Sequence, residues 1–132
     1  MGSFPETCPT RANTYYETHF IINSEGNIAS SYRKIHMFDV ELNEIGGVDY
    51  NESSFVEHGN KVEDPCFSPI GYLGLSVAYD IRFPELYRHL VLKGAQVLLV
   101  PAAFLAKTGA AHWETLLRTR AIENQAYVIA AA

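Results

Sequence analysis

The chain has 132 residues, 48% of them hydrophobic and 19% charged, with a formal net charge of −5 and a pI near 5.4. That composition suits one domain or part of one, and its acidic balance offers no basic stripe to neutralise phosphates, which argues against a nucleic-acid partner. No run approaches the roughly 18 consecutive apolar residues of a membrane span, and the start Met1-Gly2-Ser3-Phe4-Pro5-Glu6 lacks the basic and apolar regions of a signal peptide, so a cytoplasmic protein without a membrane partner is expected.

Residues 1–13 read as an irregular segment ahead of a domain covering 14–132. From Thr18 to Arg33 the pattern is a hairpin: His19-Phe20-Ile21-Ile22 forms a strand, Ser24-Glu25-Gly26-Asn27 supplies turn chemistry, Ile28 to Tyr32 returns, and Lys34 closes the second strand. From Met37 to Pro69 the sequence is acidic and broken by Asn43, Gly46, Gly47, Asn51, Gly59 and Pro65, which predicts a long loop with no core of its own.

After Gly71 the pattern becomes strand, helix, strand, helix, strand. Leu73 to Tyr79 is an apolar run, and Pro84-Glu85 opens a helix whose buried face carries Leu86, Leu90 and Val91 and which stops at Gly94. Ala95 to Pro101 is the next strand. A second helix is predicted from about Ala111 to Asn124 with Trp113, Leu116, Leu117 and Ala121 buried, then a strand from Ala126 to Ala131. Strands apolar on both faces imply a covered, parallel α/β sheet. No Gly-rich loop opens either helix, which disfavours a nucleotide-binding unit.

Chemistry in such a sheet gathers where strands end at the carboxyl edge and turn into helices. Here that edge reads Gly74-Leu75-Ser76-Val77-Ala78-Tyr79-Asp80-Ile81-Arg82-Phe83-Pro84-Glu85-Leu86. A small residue at the tip of a buried strand, followed by polar residues and Pro-Glu, has the form of a nucleophile turn. Cys8 and Cys66 sit far apart, neither stands at a strand-to-helix turn and neither has metal-ligand spacing, so both read as free structural thiols. His36 and His112 read as packing or capping residues, and no metal or other cofactor is expected.

The turn segment resembles the catalytic signature of the nitrilase superfamily of carbon-nitrogen hydrolases at every element except the cysteine, whose position Ala78 takes. Tyr32-Arg33-Lys34-Ile35-His36-Met37-Phe38-Asp39 resembles the family's lysine motif. His112-Trp113-Glu114 through Arg120-Ala121-Ile122-Glu123-Asn124-Gln125 resembles the helix that follows the active site. The likeness runs from about Thr14 to Ala132 and is strongest to the Nit branch, whose members include deaminated-glutathione amidases and the Nit arm of Nit-Fhit fusions.

The resemblance implies an αββα sandwich, of which this chain would hold roughly the central half: a mixed sheet with a hairpin and then β-α-β-α-β. It implies hydrolysis of a small ω-amide, such as deaminated glutathione, by a Cys-Glu-Lys triad, with Lys34 as the lysine, the Tyr79 N–H as a backbone oxyanion donor and Glu52 as a supporting glutamate. The family's general-base glutamate is expected upstream of this chain. Asp80, Arg82 and Glu85 are expected to form a structural charge network around the turn, and Phe104 to wall the substrate pocket. An alanine methyl cannot attack a carbonyl, so an inactive member is expected, with a regulatory or binding pseudoenzyme that joins a full-length Nit homologue as the alternative. Half a sandwich leaves a sheet face and strand edges uncovered, which predicts a homo-oligomer or such a hetero-association.

Overall fold

A computed structural model describes residues 2–41, 43 and 48–132. Strands β1 (Ser3–Thr7), β2 (Tyr15–Ile22) and β3 (Ile28–Arg33) form an antiparallel sheet, with Ser3 opposite His19 and Thr18 opposite Arg33. The hairpin thus forms where expected. Its turn is built by the Asn23 side chain, whose Oδ1 accepts the N–H groups of Glu25 and Asn27 at 3.0 and 2.9 Å, with Gly26 at φ +85°. The expectation of an irregular segment over residues 1–13 is corrected, because Ser3 to Thr7 is an edge strand. Pro5 is tolerated there because only one side of an edge strand needs its donors.

The stretch read as one long loop is also more ordered than expected. Strand β4 (Asp39–Val40) pairs with β5 (Tyr50–Asn51), a 3-10 turn follows at Glu52–Ser54, and β6 (Val56–Glu57) lies parallel to β2. Strand β7 (Cys66–Ser68) then opens the second sheet. These pieces are two or three residues long, too short to show a period in sequence. They are held by tertiary contacts such as the Gly59 N–H on Lys34 O at 2.7 Å. Gly59 is required at that approach, since a Cβ there would lie 2.3 Å from Arg33 O. Gly46 and Gly47 of the expected loop lie outside the described residues.

The second sheet runs β10-β9-β8-β7, with β8 (Gly71–Leu75), β9 (Val97–Pro101) and β10 (Tyr127–Ala131) parallel and β7 antiparallel to β8. Helix α1 (Pro84–Leu92) joins β8 to β9, and α2 (Ala106–Asn124) joins β9 to β10. This is the mixed α/β architecture expected. β8 is shorter than its apolar run, giving way after Leu75 to the turn that carries Ala78.

The two sheets and the helices share one core. Strand β9 is buried along its whole length, α1 buries Leu86, Tyr87 and Leu90, and Tyr32 of the hairpin sheet is fully buried against them. Gly74 lets α1 approach β8, because a Cβ there would stand 3.2 Å from Leu90 and from Leu98. Helix α2 departs from its expected limits and burial. It starts five residues early, at Ala106, since Gly109 and Thr108 dilute the helical signal while packing on Phe104 and bonding back to Leu105 O. Trp113, Leu116, Leu117 and Ala121 are only half-buried, and the deepest residues are Arg120 and Asn124. Among the described residues no helix is long and apolar enough to cross a membrane.

Candidate active site

The turn at the tip of β8 has the backbone of a strained elbow. Ala78 stands at φ +47°, a left-handed conformation that costs an L-residue roughly 1–2 kcal/mol and persists only where its surroundings hold it. Those surroundings are dense. Ser76, fully buried, donates its hydroxyl to Leu99 O at 2.9 Å and lies 2.8 Å from the Tyr87 hydroxyl. Arg120 donates its Nε–H to Ile81 O at 2.9 Å while its guanidinium sits 5.6 Å from the Tyr87 ring centre. Burial pushes the Tyr87 hydroxyl well above its ordinary pKa, so it stays a neutral donor. The first hydrogen bond of the 3-10 turn runs from Asp80 N–H to Val77 O at 3.0 Å, which places the Tyr79 N–H ahead of the bonded turn.

Asp80 joins this turn to the lysine strand. Fully buried, its Oδ2 accepts the Tyr32 hydroxyl and the Val77 N–H, both at 2.8 Å. Its Oδ1 accepts the His36 backbone N–H at 3.1 Å and the His36 Nδ1–H at 2.7 Å. Burial first, and the Asp80 charge second, push the Tyr32 hydroxyl far above its usual range and keep it protonated toward the carboxylate. The His36 ring is stacked on Phe83 at 3.7 Å between centres. His19 adds a second tie between the sheets, donating Nδ1–H to Ser76 O at 3.1 Å. Burial pushes its pKa below the ordinary value of 6.5, opposed in part by that bond.

Between Tyr32 and His36 lies Lys34, with its side chain 3% exposed. Its Nζ donates to Glu52 Oε1, and Glu17 Oε2 lies 3.3 Å away. The second oxygen of Glu52 accepts the Phe38 N–H at 2.6 Å, so the 3-10 turn at Glu52–Ser54 serves to aim a buried carboxylate at the lysine. Lys34 and Glu52, both named from sequence, are therefore in direct contact, and the turn carrying Ala78 and Tyr79 is bound to the same strand through Asp80.

The expected charge network of Asp80, Arg82 and Glu85 is corrected. Asp80 is satisfied by Tyr32 of the hairpin sheet, by His36 just beyond it and by the Val77 N–H of its own turn, Arg82 donates to His112 Nδ1 at 3.3 Å, and Glu85 is exposed in the first turn of α1. No ion pair among the described residues links the three. The reason is burial: Asp80 is fully buried, whereas Arg82 is half-buried and Glu85 exposed. Phe104 packs on Trp113 at 4.8 Å and lies 5.7 Å under the Arg82 guanidinium, while the cavity nearest the carboxyl edge of β9 is lined by its neighbours Ala102 and Ala103.

Glu17 escaped the sequence reading, yet its signal was present. With Thr18 opposite Arg33 and His19 opposite Tyr32, the hairpin register sets Glu17 opposite Lys34, confirmed by Lys34 N–H on Glu17 O at 2.9 Å. Cys8, buried 3.3 Å from the Thr10 hydroxyl, and Cys66, in β7, both carry free thiols and neither stands on the turn. Among the described residues no group of three or more His, Cys, Asp or Glu side chains is arranged to hold a metal ion.

Comparison with known proteins bears on the family and the fold. The chain is 57% identical over 133 residues to the deaminated glutathione amidase of Dictyostelium discoideum, covering all of this chain and 45% of that protein. It matches the crystal structure of the C. elegans NitFhit protein with a TM-score of 0.93 at 48% identity, over 100% of this chain and 32% of that one. A cysteine-to-alanine mutant of the amidase from Nesterenkonia sp. AN1, in complex with butyramide, matches with a TM-score of 0.77 at 28% identity, over 98% of this chain and 44% of that one. The chain thus spans less than half the length of each of these relatives. The carbon-nitrogen hydrolase model matches residues 1–132, and the chain belongs to that family.

Proposed function

We propose that this chain is a carbon-nitrogen hydrolase site without its nucleophile, which binds a small ω-amide and does not hydrolyse it by the family route. The observation that carries this reading is Ala78 at φ +47° on the tip of β8, tied through Asp80 to the strand of a buried Lys34. In the reading, an amide carbonyl takes a hydrogen bond from Lys34 Nζ and one from the Tyr79 N–H, donors that would stabilise an oxyanion if one formed. A methyl group at position 78 has no lone pair to form the acyl intermediate, so the bound amide stays intact. The names of the similar proteins suggest the substrate class, an ω-amide of the deaminated-glutathione type. The butyramide complex of the cysteine-to-alanine relative supports amide binding without a cysteine.

Release of cysteinylglycine tests the reading. The purified chain incubated with deaminated glutathione is expected to release no more cysteinylglycine than a heat-inactivated sample. Turnover above that control would overturn it.

A second reading, that the chain also associates with an intact homologue, is favoured by the apolar residues exposed at both edges of the second sheet. Phe67 of β7 is 72% exposed and Tyr127 of β10 79%. Light scattering of the chain alone and with an intact Nit protein is expected to show a larger species. A monomer under both conditions would contradict this reading.

A further inference from the structure

Lys34 carries two carboxylates, and they are not equivalent. Glu52 has both oxygens committed, one to Lys34 and one to the Phe38 N–H, and its side chain is 9% exposed. Asp80 is consumed by Tyr32, Val77 and His36. Glu17 is 26% exposed, takes one hydroxyl hydrogen bond from Ser3 at 2.7 Å, and meets Lys34 only at 3.3 Å, which leaves lone pairs for a further donor. It also lines a cavity of about 370 Å³ at the carboxyl edge of β9 and β10, whose other walls include Ser3, Pro101, Ala102, Ala103 and Ala131. The cavity is therefore small-walled and largely apolar, and its one carboxylate side chain is Glu17, which contacts Lys34.

We propose that Glu17 is the specificity-determining residue of this site, accepting the N–H of the bound amide and excluding the corresponding carboxylic acid. The inference rests on the amide-binding reading above. The formal charges of Lys34, Glu17 and Glu52 leave the polar end of the site net negative. A neutral amide presents a carbonyl to the lysine and an N–H donor to Glu17, a charge-assisted bond. A carboxylate of the same size presents two acceptors and a negative charge to a carboxylate that has no proton to give, and such like-charge juxtaposition discriminates strongly. The rest of the cavity receives the aliphatic part of either ligand equally, so the choice between them falls on Glu17.

Calorimetric titration with butyramide and with butyrate tests this. The unaltered chain is expected to bind butyramide at least about tenfold more tightly than butyrate. Glu17→Gln keeps the side-chain shape but removes the charge, and is expected to bring the ratio close to one by admitting butyrate. A merely structural role for Glu17 would weaken both ligands together and leave the ratio unchanged, and that result would overturn the proposal. Should Glu17→Gln fail to fold by circular dichroism, Glu17→Asp supplies the measurement. It keeps the charge and withdraws it from the ligand, so amide affinity falls while butyrate stays excluded; unchanged amide affinity would overturn the proposal. If the unaltered chain binds neither ligand, the amide-binding reading falls and takes this one with it. If it binds the amide while Glu17→Gln keeps the tenfold preference, only the role of Glu17 falls.

Discussion

On the hairpin side of the site the reactive groups are present and the supports are few: Lys34 lies between Glu17 and Glu52, aimed by one backbone N–H and the register of two strands. On the sheet side the supports are many and the reactive group is missing: Ser76, Tyr87, Arg120, His19 and Asp80 brace a turn whose tip is a methyl group. The difference separates two jobs that one motif performs. A nucleophile turn is held by packing and buried hydrogen bonds that do not involve the nucleophile's own side chain, so replacing that one atom leaves the elbow standing. The Lys34 ion pairs differ, because their geometry depends on the charges being there.

The sharpest way to break this comparison is to cut the clamp between the two sides. Asp80→Ala removes a buried carboxylate and strands the Tyr32 hydroxyl, the Val77 N–H and two His36 donors. A loss of about 3–5 kcal/mol is expected in urea unfolding. A loss under about 1 kcal/mol would mean that the turn is held without the clamp.

Next in size is Lys34→Met, which leaves Glu17 and Glu52 facing each other without a cation. It is expected to destabilise by about 3 kcal/mol, and adding Glu52→Gln is expected to recover more than half of that by removing the orphaned charge. Equal stability of the single and double variants would show that the pair is not electrostatically coupled.

Acidification probes the second tie. The His19 pKa is lowered on folding, so the unfolded chain binds the proton more tightly and stability is full above the ordinary value of 6.5. It is lost as pH falls below that value. His19→Gln is expected to flatten this slope between pH 6.5 and 5, and an unchanged slope would assign the effect to other groups.

The smallest effect is at the tip itself. Ala78→Gly relieves the left-handed strain at φ +47° and is expected to raise stability by about 0.5–1 kcal/mol, net of the extra freedom glycine gives the unfolded chain. Destabilisation instead would show that the elbow does not strain its residue.

The parts of the fold legible in the sequence were those whose own residues carry the signal. The hairpin announced itself through Ser24 to Asn27, α1 through Pro84 and Gly94, and β9 through an unbroken apolar run. Lys34 and the turn around Ala78 stood out in the sequence because their flanking residues resemble family motifs. What stayed hidden depends on partners distant in sequence. Asp80 was assigned to a local network with Arg82 and Glu85, but its partners are 44 to 48 residues upstream on another sheet for all but Val77. Arg120 looked like one more polar residue on a helix, yet it is buried against Ile81 O, 39 residues away. The short strands β4 to β6 have no period to read: β4 and β5 pair with each other, and β6 is received by β2.

The central claim, that amide binding survives while turnover is lost, is tested most directly by equilibrium dialysis of butyramide against the purified chain with ammonia assayed in the same sample. The account predicts bound, unchanged butyramide and no ammonia above the protein-free control. Ammonia accumulating with time, or no retention of butyramide at all, would contradict it.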